Sequence, residues 1–151
     1  MESDVFATPG HLINIAARGF ARLSEARLKP LGVGYLPALV ALKEGRADTQ
    51  RDLARFIRIE QPSMAQMLVR MERDGLIRRS PDPADGRSRR IALTDNALAI
   101  LPDACVALFR GNRQALDGFT EDEAAQFITL LERLIANLDR LMSAGSAAQQ
   151  P

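Results

Sequence analysis

The sequence predicts a mainly α-helical fold that contains one small β-hairpin. Apolar residues recur at helical spacing along most of the 151 residues. Aromatic residues make up 5% of the chain, which has no tryptophan, and this composition favours helices packed through Leu and Ala over a β-rich fold. Between residues 76 and 93 the helical period is replaced by two short runs, which flank a loop rich in Pro, Asp and Gly.

The first half of the chain contains a predicted helix-turn-helix. Thr8 is a candidate N-cap for the first helix, and Pro9 suits its first turn. A short helix, a turn and a further helix follow the second helix, and this is the order of a helix-turn-helix. The predicted segments are Pro9 to Gly32, about Tyr35 to Glu44, a short helix after Thr49, a turn at Ile57–Ile59, and Gln61 or Pro62 to Gly75.

A hairpin and a long helix are predicted next. Leu76–Arg79 and Arg89–Leu93 have the composition of short strands, and Ser80–Ser88 forms the loop between them. Thr94 can cap the following helix, and Pro102 is expected to bend that helix or to interrupt one of its hydrogen bonds.

Several classes of protein are excluded by the composition. One Cys and one His supply neither an intramolecular disulfide nor a zinc site, and no Gly-rich phosphate loop or catalytic motif is present, so we expect no metal, no cofactor and no enzyme activity. The longest apolar run is too short to span a membrane, and Met1–Asp4 lacks the basic start of a secretory signal. We therefore expect a soluble cytoplasmic protein.

Cys105 shares an apolar helical face with Leu98 and Leu101, which predicts a buried structural thiol rather than a redox sensor.

The formal net charge of +1 conceals an uneven distribution. Residues 1–45 carry +1, residues 46–90 carry +4 from eleven Arg and seven acidic residues, and residues 91–151 carry −4. Since Arg binds phosphate through two parallel hydrogen bonds, the middle block is suited to nucleic acid.

The helix that starts near Gln61 has the amphipathic pattern of a DNA recognition helix. Met64, Met67, Leu68 and Met71 form one apolar stripe on a helical wheel. The opposite face is polar and basic, and it offers the Gln and Arg side chains that read adenine and guanine in the major groove. The candidate DNA-contacting residues are Gln61, Pro62, Ser63, Gln66, Arg70 and Arg73.

The hairpin adds a second basic element. It carries Arg87, Arg89 and Arg90, and a hairpin directly after a recognition helix is called a wing. An arginine of a wing can enter the minor groove, where the negative potential is enhanced. Asp85 repels phosphate, so we expect it to position an arginine through a charge-assisted hydrogen bond. Helix and wing together predict double-stranded DNA as the partner, and a solvated charged surface is the alternative.

The run Asp82–Thr94 resembles the wing signature of the MarR (multiple antibiotic resistance regulator) family, an Asp-x-Arg followed by Leu-Thr. Gln61–Met64 and Met71–Ile77 are similar to the family's recognition helix and exit turn. The resemblance implies a winged helix-turn-helix homodimer that binds a pseudo-palindromic operator, usually as a repressor. It also implies that Arg87 is the minor-groove arginine and Asp85 its positioning acid. It places the following residues at the major groove: Gln61, Ser63, Gln66 and Arg70.

The ends of the chain predict the dimer. Thr120 and Glu123 form a capping box for a last helix that is more amphipathic than one small domain requires. Two copies of the chain would bury the apolar stripes of their terminal helices against each other about a two-fold axis. The alternative is that these stripes close the core of a monomer. The expected organisation is a single domain over 1–151, with dimerisation helices at 1–32 and 95–143, a winged helix-turn-helix region at 35–94 and a flexible tail at 144–151.

A small-molecule effector is also implied by the resemblance, because many members release DNA when an anionic or phenolic ligand binds between the dimer helices and the DNA-binding region. An arginine there would pair with a ligand carboxylate. His11 and Tyr35 could instead complete a helix interface. The candidates are His11, Arg18, Arg22, Tyr35 and Pro37. A helical dimer that docks another protein without binding DNA is the alternative function, and the arginine-rich wing argues against it.

Overall fold

The computed structural model describes residues 4–147, and this range contains six α-helices and one antiparallel hairpin. Single 3-10 turns at Val5–Ala7 and Lys29–Leu31 flank the first helix. The predicted mainly α fold class with a β-hairpin is therefore confirmed. The elements are α1 Pro9–Leu28, α2 Leu36–Lys43, α3 Gln50–Ile57, α4 Gln61–Arg73, β1 Ile77–Pro81, β2 Arg89–Leu93, α5 Asp95–Ala115 and α6 Glu121–Ala147.

Side-chain caps start several of these helices where the sequence predicts them. The hydroxyl of Thr49 accepts a hydrogen bond from the backbone N–H of Asp52 at 3.2 Å. Thr120 and Glu123 form a complete capping box, in which each side chain accepts from the other residue's backbone N–H, at 3.1 and 2.9 Å. Such caps satisfy amide donors that have no partner inside the helix. At the end of α4, Gly75 has a φ of 72°, a left-handed conformation that glycine adopts without strain.

The chain divides into two compact units, residues 1–112 and 113–151. The core of the first unit is built from α2, α3, α4, the hairpin, the end of α1 and the start of α5. Helix α4 contributes Met64, Leu68 and Met71, all buried, which confirms the predicted apolar stripe, while Met67 packs against the core and is half-buried. Cys105 is also half-buried against this core rather than fully buried as expected.

The hairpin begins one residue later than predicted and its first strand is longer. Leu76 belongs to the turn after α4, since its backbone N–H donates to the carbonyl of Met71 at 2.9 Å, and pairing starts with Ile77 opposite Leu93. The strand β2 is also joined to the segment before α3, because the N–H of Ile91 donates to the carbonyl of Asp48 at 2.7 Å. We call the hairpin, residues 77–93, the wing.

Helix α5 runs from Asp95 to Ala115 and contains Pro102. Because proline has no backbone N–H, one helical hydrogen bond is absent there, as the sequence predicts. Helix α6 continues through Ala147, so residues 144–147 of the expected flexible tail are helical, and residues 148–151 lie outside the described part of the chain. No residue of α6 is buried within the described chain.

Candidate nucleic-acid interface

Helix α4 presents its polar face to solvent. Burial of Met64 and Leu68 fixes the rotation of the helix, so that the opposite side is free. Pro62 lies in the first turn, where its missing N–H removes no helical hydrogen bond. All six predicted contact residues of this helix are exposed, namely Gln61, Pro62, Ser63, Gln66, Arg70 and Arg73.

A groove of about 440 Å³ joins the start of α4 to the wing. Gln61 lines it together with Arg87 and Arg89, so two predicted elements meet there. The start of α3 also lines it, which sequence reasoning missed, although the predicted cap at Thr49 marks a helix N-terminus, a site that favours phosphate. The additional lining residues are Thr49, Gln50, Arg51, Arg79, Asp85, Ser88 and Ile91.

Asp85 holds the loop at the tip of the wing. Its carboxylate accepts a hydrogen bond from the backbone N–H of Arg87 at 3.0 Å, and its carbonyl accepts from the N–H of Ser88 at 3.0 Å. The acid therefore positions Arg87 through the main chain. This is a hydrogen bond from an arginine to a carboxylate, as the sequence predicts, but the donor is the backbone N–H rather than the guanidinium. The carboxylate therefore fixes the backbone conformation of Arg87 and leaves its guanidinium unpaired by Asp85.

Arg90 is positioned by two acids that sequence reasoning did not identify. Its Nη1 lies 3.2 Å from Oδ2 of Asp48, and its Nε lies 3.3 Å from Oδ1 of Asp82. The backbone N–H of Ala84, followed by the Arg90 side chain, holds the pKa of Asp82 below its ordinary value, despite desolvation that acts in the opposite direction. Arg90 is thus engaged within the protein, while Arg87 and Arg89 line the groove.

A second cavity of about 610 Å³ lies between α1, the segment just before α2, and α4. Tyr35 lines it, and burial raises the pKa of its phenol above the ordinary value of 10.0. Arg70 of α4 lines the same cavity, together with Ser24 and Glu25 of α1. The remaining lining residues are Phe20, Ala21, Gly34, Met67, Met71, Asp74 and Leu76.

Only Tyr35 of the five candidate ligand residues is among the residues that line this cavity. The ring of His11 packs edge-on against Phe6, with 5.4 Å between ring centroids. Arg18, Arg22 and Pro37 are exposed elsewhere on their helices. Ligand contacts by these four residues stay a prediction. Sequence reasoning missed Arg70 as a cavity residue because one helical wheel does not reveal what a neighbouring helix covers.

Within residues 4–147, no group of His, Cys, Asp or Glu side chains has the arrangement of a metal site. The helices of that range are also too short or too polar to cross a membrane.

Comparison with known proteins agrees with this geometry. Residues 30–88 match the sequence model of the MarR family. The chain is 29% identical to a probable transcriptional regulator from Pseudomonas aeruginosa, with a TM-score of 0.77, over 87% of this chain and 99% of that one.

Two further structures share the fold. One is the PcaV transcriptional regulator from Streptomyces coelicolor in complex with its natural ligand, at 26% identity and a TM-score of 0.76, covering 90% of this chain and 97% of the other. Another is a cysteine-to-serine mutant of MarR from E. coli complexed with operator DNA, at 24% identity and a TM-score of 0.77, covering 87% and 99%. The segment 30–88, which holds α2, α3, α4 and most of the wing, thus matches the MarR family, and the chain shares its fold with known transcriptional regulators.

Proposed function

We propose that this DNA-binding regulator acts as a homodimer on a pseudo-palindromic operator, that it represses transcription, and that a small molecule releases it. In this proposal α4 enters the major groove and the wing reaches the adjacent minor groove. Two copies would place their recognition helices about 34–36 Å apart, on successive major grooves of one DNA face.

The observation that carries the DNA-binding mode is the groove shared by α3, α4 and the wing. Gln61, Arg51, Arg87 and Arg89 line one concave surface, where guanidinium groups and the first amides of α3 would meet the phosphate backbone. The exposed residues of α4 lie beside it and would read base edges.

The dimer is supported by the apolar side chains that α6 leaves in solvent. Ile128, Ile135 and Leu138 are all exposed, and their spacing places them on one helical stripe. A second copy of the chain would bury this stripe in an isologous interface.

Release by a ligand is supported by the 610 Å³ cavity, which is of the size that small molecules occupy. Tyr35 offers a neutral phenol and Arg70 a guanidinium to an anionic or phenolic ligand. Because Arg70 belongs to α4, a molecule bound there would contact the recognition helix itself and change its position or the availability of this side chain.

Selection of bound duplexes from a random pool at physiological salt tests the proposal. We expect an enriched site with two inverted half-sites centred about one helical turn apart. Placed over a promoter, this site should lower transcription in vitro when the protein is added, and the protein should dissociate when an effector from a panel of phenolic acids is present. Absence of any enrichment, even at low salt where phosphate contacts are strongest, would favour the protein-docking function instead.

A further inference from the structure

Val69 breaks the polar pattern on the outward face of α4. It is 58% exposed, and it is the one large apolar residue of α4 that the described chain leaves in solvent. Setting Met64 at 0° on a helical wheel, Val69 lies at about 140°, between the buried side and Arg73 at about 180°. Valine is also a poor helix former because its β-branch restricts χ1. In the free protein this side chain therefore contributes neither core packing nor helix stability.

The neighbours of Val69 show what kind of partner fits it. Ala65, Gln66 and Arg70 line a shallow depression together with Val69. Gln66 and Arg73 lie one turn away on either side, so the valine sits within a polar and basic surface. Such a surface would repel an apolar helix flanked by basic groups but complements a polyanion that carries apolar groups at defined positions.

We infer that Val69 contacts the C5-methyl group of a thymine in each half-site of the operator. This inference rests on the proposed function, because it requires α4 to lie in the major groove. Thymine is the one base of unmodified DNA that displays a methyl group there, and apolar side chains recognise it by contact. Ala65 would enlarge the contact, while Gln66 and Arg73 would read or anchor the flanking positions.

Replacement of thymine by deoxyuridine tests the inference, since it removes the methyl group and retains base pairing. In the site selected from the random pool, each thymine is replaced in turn, in one half-site and in both. We expect one position per half-site to weaken binding about fourfold, the effect of one buried methyl group, and about sixteenfold when both are replaced. Replacement of a thymine that lies outside the selected site is the DNA control.

The second part of the test changes the protein instead of the DNA, through Val69→Ala. We expect this variant to bind the thymine site more weakly than the unaltered protein and to show no further loss on the uracil site. Val5→Ala removes the same two methyl groups from a valine that is 68% exposed outside the helix-turn-helix, and it should retain the full preference for thymine. Melting temperatures of both variants check that folding is unchanged.

The outcomes separate the inference from the proposed function. If DNA is bound and selected but uracil has no effect at any position, Val69 does not read a methyl group, although DNA binding stands. The same conclusion follows if Val69→Ala keeps the full thymine preference. If no DNA is bound, the proposed function fails before the valine is tested.

Discussion

The guanidinium of Arg90 lies 3.2 Å from the carboxylate of Asp48, a residue 42 positions earlier in the sequence. The same side chain reaches Asp82 at 3.3 Å on its other edge. One bridge joins β2 to the segment before α3, and the other joins β2 to the loop of the wing. Together with the bond from the N–H of Ile91 to the carbonyl of Asp48, these contacts fix the wing relative to the helix-turn-helix.

Arg90→Ala is expected to loosen the wing with a small effect on global stability. The side chain is 51% exposed, and ion pairs at such positions contribute up to about 1 kcal/mol. Urea denaturation should therefore show a loss of that size or smaller, while amide hydrogen exchange at Ile91 should become faster. Asp48→Asn should reproduce the faster exchange. Unchanged exchange in both variants would contradict the positioning role.

Arg87→Ala should weaken operator binding without lowering the melting temperature, because Arg87 is exposed and no ion pair of its side chain is found within the described chain. The proposed dimer would lose two cationic contacts, so the slope of log K against log salt should fall by about 1.8. Arg90→Ala should change this slope less, because Arg90 is already paired with two carboxylates. Equal slopes for Arg87→Ala and the unaltered protein would show that Arg87 does not contact DNA.

Arg87 and Arg90 show what could be predicted from the sequence and what could not. Local patterns predicted α4, its apolar stripe and the wing, because periodicity, caps and turn residues act over a few positions. The pairing of Arg90 with Asp48 depends on how β2 folds back onto a distant segment, and no local pattern reports it. That Arg70 and Tyr35 line the same cavity was missed for the same reason.

Asp82 should make the wing sensitive to acid. Its pKa is lowered from 3.8 in the folded protein, chiefly by the N–H of Ala84 and then by Arg90. A lowered pKa stabilises the fold above the unfolded value near 3.9 and loses this effect as the pH falls through the folded value. Asp82→Asn should therefore be less stable than the unaltered protein at pH 7, and the difference should vanish at strongly acidic pH.

An NMR titration of the Asp82 carboxyl carbon measures the shift directly. The midpoint should lie below 3.8. In Arg90→Ala it should rise only in part, since the hydrogen bond from Ala84, at 2.9 Å, remains. A midpoint unaffected by Arg90→Ala would show that the ion pair is not formed in solution.

Tyr35 provides an optical probe of the 610 Å³ cavity. The chain has one tyrosine and no tryptophan, so ultraviolet absorbance near 295 nm reports this phenol alone. Burial raises its pKa from 10.0, and the folded protein should titrate at a higher pH than the urea-unfolded chain. Stability from this group is complete below the unfolded pKa and is lost as the pH rises through the folded one. A folded midpoint at or below that of the unfolded chain would place the phenol in solvent.

Leu138→Glu should convert the proposed dimer to a monomer. Leu138 is 51% exposed on α6, and within the proposed interface the new carboxylate would be removed from water without a partner, at a cost of several kcal/mol per copy. Ala136→Glu places the same charge on the opposite, exposed side of the helix and is the matched control. Sedimentation equilibrium should show about half the mass for Leu138→Glu and an unchanged mass for Ala136→Glu. Since helical content should be equal in both variants, a dimeric Leu138→Glu protein would place the interface elsewhere than on this stripe of α6.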